Sequence, residues 1–175
     1  MAKAKKLTEN AAASSSTVTF GVCAAADPRI DEQSRERTAN IVRTVADIVA
    51  ENVRMPDGFP VEVVWTPMLL DGEQEADTVA RQFRAASVDA IICTPDTWAY
   101  PQASLLSLLS HFPDDLPVNI TCGNSAPKPG VVFAHAANGA LAQAGRLSHL
   151  NVGKWPDSGQ DPQPSNETVR DIINW

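Results

Sequence analysis

Short apolar segments alternate with longer amphipathic segments along this chain, and no other feature of the sequence limits the fold as strongly. Five segments are short and rich in apolar residues, and we predict them to be strands: Thr17–Ala25, Val61–Trp65, Asp89–Cys93, Val118–Cys122 and Leu147–Val152. Strands that alternate with helices form a parallel sheet with helices on both faces. The sequence therefore predicts a three-layer, doubly wound, flavodoxin-like α/β fold with a parallel five-stranded sheet in the order 2-1-3-4-5.

Local patterns mark the helices and the core of this fold. Apolar residues recur at helical spacing within Arg35–Val53, and a Leu-rich helix is predicted over Ser104–His111. Asp71, with Gln74 three residues later, resembles a helix-start box. Ser165 is expected as the N-cap of the last helix. Six apolar strand residues are predicted to lie in the core: Phe20, Val22, Val63, Ile91, Ile92 and Ile120.

Composition indicates one globular domain. The chain has 175 residues, 43% of them hydrophobic, which is enough for one core. We expect residues 1–16 to be a disordered leader and residues 17–175 to form a single α/β domain. The net charge of −7 argues against a nucleic-acid partner. No apolar run is long enough for a membrane span, so no membrane partner is expected.

The cysteines suggest where the protein resides. Cys23, Cys93 and Cys122 fall in or just after predicted strands, and they form no CxxC pair. This pattern favours buried, reduced thiols over a redox or metal-binding role. Reduced thiols are typical of the cytoplasm, so a cytoplasmic location is expected.

The sequence lacks the motifs of the common catalytic and cofactor-binding sites. The loop after the first strand, Ala26–Ser34, contains no glycine-rich phosphate-binding pattern, so nucleotide and flavin binding are disfavoured. His111, His135 and His149 lie on different elements without ligand spacing. No GxSxG or Cys–His signature indicates covalent catalysis. We therefore expect no catalytic residue, no metal site and no cofactor in this chain.

Two loops are the best candidates for ligand binding. In the predicted strand order, the chain changes its direction of travel between strands one and three, and ligands bind at the carboxyl edge there. Asp27 and Arg29 lie in the first of these loops, and Trp98 and Tyr100 lie in the second, Thr94–Gln102. Arginine can donate to hydroxyls or a carboxylate, and an indole packs on the C–H face of a sugar. The alternatives are a solvated Arg29 and a Trp98 that folds back over the sheet edge.

A set of short motifs gives the chain a family resemblance. Their order holds across most of residues 17–175: Gly21-Val22, Asp27-x-Arg29, Thr94-Pro95 leading into Trp98-x-Tyr100, Pro129-Gly130 before an apolar helix, and Gly153 after the fifth strand. In this order they resemble the first N-terminal domain of L-fucose isomerase-type enzymes. These enzymes are aldose–ketose isomerases that also accept D-arabinose.

The resemblance implies a role in a larger enzyme. In the complete enzyme, Mn²⁺ is expected to hold the open-chain sugar through a Glu, an Asp and a His of later domains, which are absent from this sequence. Two carboxylates would move a proton between C1 and C2 through an ene-diol. The first domain would cap the aldose or ketose at a subunit interface of a homo-oligomer. There Arg29 would bond sugar hydroxyls and Trp98 would stack on the substrate.

The chain also departs from the family pattern. Cys23-Ala24 replaces a frequent Arg-Pro, Pro28-Arg29-Ile30 replaces a Gly-Arg-Arg run, and one extra residue precedes Trp98. These departures indicate a divergent subfamily and leave the identity of the sugar open. Two other functions fit the sequence: a free-standing sugar- or small-molecule-binding module of flavodoxin-like type, and a structural assembly domain.

Overall fold

Five strands and five helices alternate through a computed structural model, which describes residues 17–122, 129–152, 155 and 162–175. The strands are β1 Thr19–Cys23, β2 Glu62–Trp65, β3 Ala90–Cys93, β4 Val118–Thr121 and β5 Ser148–Asn151. The helices are α1 Glu32–Asn52, α2 Glu73–Ala85, α3 Leu105–Leu109, α4 Gly130–Gln143 and α5 Asn166–Asn174. The predicted leader, residues 1–16, and Gly153 lie outside the described residues.

The strands form one parallel sheet in the order β2-β1-β3-β4-β5, which confirms the predicted topology. The register places Gly21 beside Val64 of β2 and beside Ile91 of β3, so β1 is central. Both strand pairs next to β1 are parallel, and the carboxyl ends of β1 and β3 therefore meet at the same edge. The loops that follow these two strands start side by side.

Two apolar clusters, one on each face, hold the sheet between its helices. On one face, α1 and α5 pack through residues such as Ile41, Val45 and Ile172. On the other face, α2, α3 and α4 pack through residues such as Phe83 and Phe133. Burying apolar area on both faces is the main force that stabilises such a sheet.

The core matches most of the prediction. Val22, Ile91, Ile92 and Ile120 are completely buried, as expected. Phe20 and Val63 are only partly buried and pack against the edge of the α1/α5 cluster. Val63 lies on the edge strand β2, and Phe20 meets the ring of Trp175 edge-to-face.

The predicted start of α2 is wrong. Gly72, not Asp71, is the N-cap of that helix, because the Asp71 carboxylate accepts a hydrogen bond from Arg35 Nη1 at 2.8 Å. The N-cap of α5 is confirmed, since Ser165 Oγ accepts from the backbone N–H of Thr168 at 3.2 Å. Capping thus follows local sequence only where no tertiary partner competes for the side chain.

Other helix boundaries also differ from the predictions. The Leu-rich helix is shorter than predicted, spanning Leu105–Leu109 rather than Ser104–His111. By contrast, α1 begins three residues before the predicted Arg35, because Asp31 Oδ1 accepts a hydrogen bond from the Ser34 backbone at 2.7 Å and caps the helix.

The three cysteines are buried thiols at the carboxyl ends of adjacent strands. Cys23 and Cys93 are direct partners in the β1–β3 register, and Cys122 follows β4. The hydrogen bond with Cys93, together with burial, raises the pKa of the Cys23 thiol well above its ordinary value. Burial raises the pKa of Cys122 to about 11. Buried thiols that stay protonated are poor nucleophiles.

We therefore expect these cysteines to be unreactive in the folded protein. A colorimetric disulfide reagent at about pH 8, near the ordinary thiol pKa, should label no thiol in buffer and three in urea. Folding raises the pKa of Cys122 above the value of the unfolded chain. The stability that this shift contributes is therefore complete below the unfolded pKa and is lost as the pH rises toward 11. Rapid labelling of the folded chain would contradict this prediction.

Candidate functional site

The loop after β1 is organised around the carboxylate of Asp27. The Asp27 side chain is only 3% exposed, whereas that of Arg29 is 70% exposed. Asp27 Oδ1 accepts hydrogen bonds from the backbone N–H of Arg29 at 2.8 Å and from Arg29 Nε at 2.9 Å. Asp27 Oδ2 accepts from Arg29 Nη2 at 2.7 Å. The buried carboxylate therefore holds the exposed guanidinium in one orientation.

This pairing also defines which donors of Arg29 face outward. The hydrogen bonds and the negative charge of Asp27 raise the pKa of Arg29 above its ordinary value, so the side chain remains a cation. The Nε–Nη2 edge of the guanidinium is occupied by Asp27. A ligand would therefore meet mainly Nη1, which donates to no acceptor among the described residues. The Asp27 side chain itself is buried and pairs with Arg29.

The loop after β3 carries the aromatic residues. Its start continues the sheet, since the backbone N–H of Thr94 donates to the Cys23 carbonyl at 2.8 Å. Trp98 is partly buried and packs against the α2/α3/α4 cluster. Tyr100 is 49% exposed, and its carbonyl accepts a hydrogen bond from Ser104 Oγ at 2.7 Å. Trp98 thus covers part of the core and also borders the surface.

The two loops meet at the side chains that the sequence singled out. Arg29 Nη2 donates to the Tyr100 hydroxyl at 3.3 Å. The rings of Trp98 and Tyr100 are 6.0 Å apart and lie edge-to-face at 78°. Arg29, Tyr100 and Trp98 therefore form one continuous surface, which we call the Arg–Tyr–Trp surface. A fixed cation, a phenol and an indole suit a polyhydroxylated ligand, because they offer both donors and apolar faces.

A second ion pair lies beneath this surface, and sequence reasoning missed it. Arg37 Nε donates to Asp96 Oδ2 at 3.0 Å, and both side chains are largely buried. A signal for it exists in the sequence: Arg37 lies four residues before Ile41 and eight before Val45, on the apolar face of α1. A charged residue on such a face needs a buried partner.

Two cavities among the described residues lie away from the Arg–Tyr–Trp surface. One of about 620 Å³ opens at the amino edge of the sheet, between residues such as Asp115, Leu147 and Trp175. Another of about 570 Å³ lies at the carboxyl edge between α1 and the segment after β2, bordered by Arg35 and Met68. Neither of these two linings contains Arg29 or Trp98.

Comparison of the sequence with known protein families identifies the family of this domain. Residues 17–175 match the family described as L-fucose isomerase, first N-terminal domain. The chain belongs to this family. All four residues of the candidate site lie within the matched range, as does the Pro129-Gly130 step at the start of α4.

Curated relatives are much longer than this chain. The chain is 27% identical over 139 residues to an L-fucose isomerase of Streptococcus pneumoniae strain CGSP14, covering 79% of this chain and 22% of the relative. It is 27% identical over 140 residues to that of strain Hungary19A-6, covering 80% of this chain and 22% of the relative. The chain thus matches about a fifth of the length of these L-fucose isomerases.

The residues that the structure describes in this L-fucose isomerase family member do not fit a metal centre. Within the described ranges, no three His, Cys, Asp or Glu side chains are grouped closely enough to hold a metal ion. His135 and His149 are exposed, and His111 Nε2 lies 3.8 Å from Asp77. In the same ranges, no helix is both long and apolar enough to cross a membrane.

Proposed function

We propose that this domain caps the sugar substrate in an aldose–ketose isomerase that acts on L-fucose or D-arabinose. Membership in the L-fucose isomerase family supports an isomerase. The observation that carries the capping role is the contact between Arg29 and Tyr100, which joins the two loops into the Arg–Tyr–Trp surface. Neither loop alone offers a cation and aromatic rings together.

Each side chain has a defined part in this proposal. Arg29 donates hydrogen bonds to sugar hydroxyls through its outward edge, and Asp27 keeps that edge in place. Tyr100 adds a hydroxyl that donates and accepts. Trp98 offers the apolar face on which the C–H side of the sugar packs. Charge-assisted hydrogen bonds of this kind stabilise a complex by about 1.5–3 kcal/mol each.

The chemical step belongs to other domains in this proposal. Moving a proton between C1 and C2 requires a base and a group that polarises the sugar carbonyl. The described residues hold no metal group, and the Arg–Tyr–Trp surface contains no free carboxylate base. We assign the Mn²⁺ of the complete enzyme to later domains, and we place the capping surface at a subunit interface of a homo-oligomer.

Ligand titration of the isolated chain tests the proposal. Tyr100 is the only tyrosine, so 3-fluorotyrosine labelling gives a single ¹⁹F resonance from the Arg–Tyr–Trp surface. L-fucose or D-arabinose should shift it with a Kd of about 1 mM or weaker, because half of the binding site is missing. Arg29→Ala should abolish the shift, and the chain should show no isomerase turnover with or without Mn²⁺.

Other outcomes would change the interpretation. Binding about a thousandfold tighter, in the micromolar range, would favour a free-standing sugar-binding module. No response of the Tyr100 resonance at high sugar concentration would contradict sugar binding and favour a structural assembly domain. Turnover by the purified chain, free of host enzyme, would contradict the assignment of chemistry to later domains.

A further inference from the structure

We propose that Arg37 and Asp96 are positioning residues that fix the Trp98–Tyr100 loop against Arg29. The inference rests on the proposed function only for the statement that the positioned surface binds a sugar. The mechanical part, in which a buried ion pair sets the position of an exposed surface, depends on the contacts of this chain alone.

The ion pair joins the two elements that carry the surface. Arg37 lies in the second turn of α1, directly after the loop that contains Arg29. Asp96 lies three residues after β3 and two before Trp98. The Arg37 Nε to Asp96 Oδ2 distance is 3.0 Å, and the side chains are 11% and 1% exposed. The pair therefore ties one loop to the helix that follows the other.

Burial makes the contact between Arg37 and Asp96 costly to break. A carboxylate that is 1% exposed has lost its hydration, and only an oriented cation and hydrogen-bond donors compensate for that loss. An outward movement of the loop would break the contact between Asp96 and Arg37. The side-chain contact therefore restrains the backbone at Asp96.

The backbone of Asp96 is held from the opposite side as well. The N–H of Gly130, the first residue of α4, donates to the Asp96 carbonyl at 3.1 Å. Thr97 forms an isolated antiparallel bridge with Pro129. The segment before Trp98 is thus clamped between α1, through the Asp96 side chain, and α4, through the backbone.

The exposed contacts alone would not set this geometry. The Arg29–Tyr100 hydrogen bond is 3.3 Å long and solvent-exposed, and such a contact contributes little by itself. Because three hydrogen bonds to Asp27 hold Arg29, the distance between Arg29 and Tyr100 depends on where the Asp96 segment lies. The buried pair therefore determines the width of the surface that the sugar would meet.

The test uses the full chain with 3-fluorotyrosine at Tyr100 and 5-fluorotryptophan at the four tryptophans. Asp96→Asn keeps the shape of the side chain and removes its charge. We expect the Tyr100 and Trp98 resonances to shift or broaden, while those of Trp65 and Trp175 stay in place. Trp98→Phe assigns the Trp98 line.

A second arginine–carboxylate pair serves as a control for the loss of an ion pair elsewhere in the fold. Asp114→Asn removes a carboxylate that is 87% exposed and pairs at 2.8 Å with Arg146, whose side chain is as buried as that of Arg37. That pair lies at the opposite edge of the sheet, so the Tyr100 and Trp98 resonances should not change. Arg37→Gln should reproduce the effect of Asp96→Asn, and Arg37→Lys should give a smaller one.

A purely structural role predicts a different result. If the pair only stabilises the fold, Asp96→Asn and Arg37→Gln lower the unfolding midpoint but leave the resonances of the folded state unchanged, and this outcome overturns the proposal. If one of the three variants Asp96→Asn, Arg37→Gln and Arg37→Lys fails to fold, the other two provide the same comparison. Because no sugar is added in this experiment, its result does not depend on whether the sugar-binding proposal is correct.

Discussion

Replacing Trp98 by alanine is expected to lower kcat/KM for an aldose by about 5- to 150-fold in an assembled isomerase that carries this domain. Loss of one aromatic face from a bound sugar removes about 1–3 kcal/mol of binding. The indole is partly buried beside Tyr100, so truncation removes the stacking face and loosens its neighbour. The loss should appear mainly as a raised KM, because Trp98 holds the substrate and takes no part in proton transfer.

Steady-state kinetics with L-fucose and D-arabinose measure this effect. Phe59→Ala is a suitable control, since Phe59 is an exposed aromatic residue in the turn before β2, at the opposite edge of the sheet. Metal affinity should remain the same in both variants. An unchanged kcat/KM in Trp98→Ala would contradict the capping role.

Arg29→Lys tests the same surface through hydrogen-bond geometry. Lysine keeps the charge, but it cannot bond both oxygens of Asp27 with a planar edge and also reach Tyr100. We expect a decrease in kcat/KM of about 5-fold or more in the assembled enzyme. Wild-type kinetics in Arg29→Lys would show that a positive charge alone suffices.

The fold could be predicted because the pattern of each strand is local. Asp89–Cys93 reads as a strand buried on both faces, and Ala90–Cys93 is completely or almost completely buried between two layers of helices. Asp71 shows the limit of such reasoning. Its spacing to Gln74 suits a helix cap, yet Arg35 lies 36 positions away in sequence and takes its carboxylate. A local sequence pattern does not reveal a partner that only the folded chain brings close.

The candidate site was predictable in its location but not in its internal contacts. Strand order alone places the loops of Arg29 and Tyr100 side by side, 71 positions apart in sequence. That Asp27 lies buried and pairs with Arg29 depends on burial that no spacing encodes. The Arg37–Asp96 pair spans 59 positions, and only the arginine on an apolar helix face hints at it.

Gly130→Ala is expected to destabilise the domain by about 1–3 kcal/mol, although alanine favours helices. Gly130 begins α4 directly against the loop after β3. A methyl group there would overlap the Pro95 carbonyl oxygen and lie 2.8 Å from the Asp96 carbonyl carbon. These are backbone atoms, so relief requires moving the whole segment that leads to Trp98. The substitution should therefore displace the Arg–Tyr–Trp surface as well as reduce stability.

Gly139→Ala in the same helix provides the matched comparison. No atom lies within 4 Å of a Cβ built at Gly139, and the position is exposed in the interior of α4. Here alanine should stabilise the domain by about 0.5–1 kcal/mol, because glycine loses more backbone entropy on folding. Urea unfolding of both variants measures the two opposite shifts. If Gly130→Ala were as stable as Gly139→Ala, α4 would not be pressed against the Pro95–Asp96 backbone, and the clamp that holds the aromatic loop would lose one of its two sides.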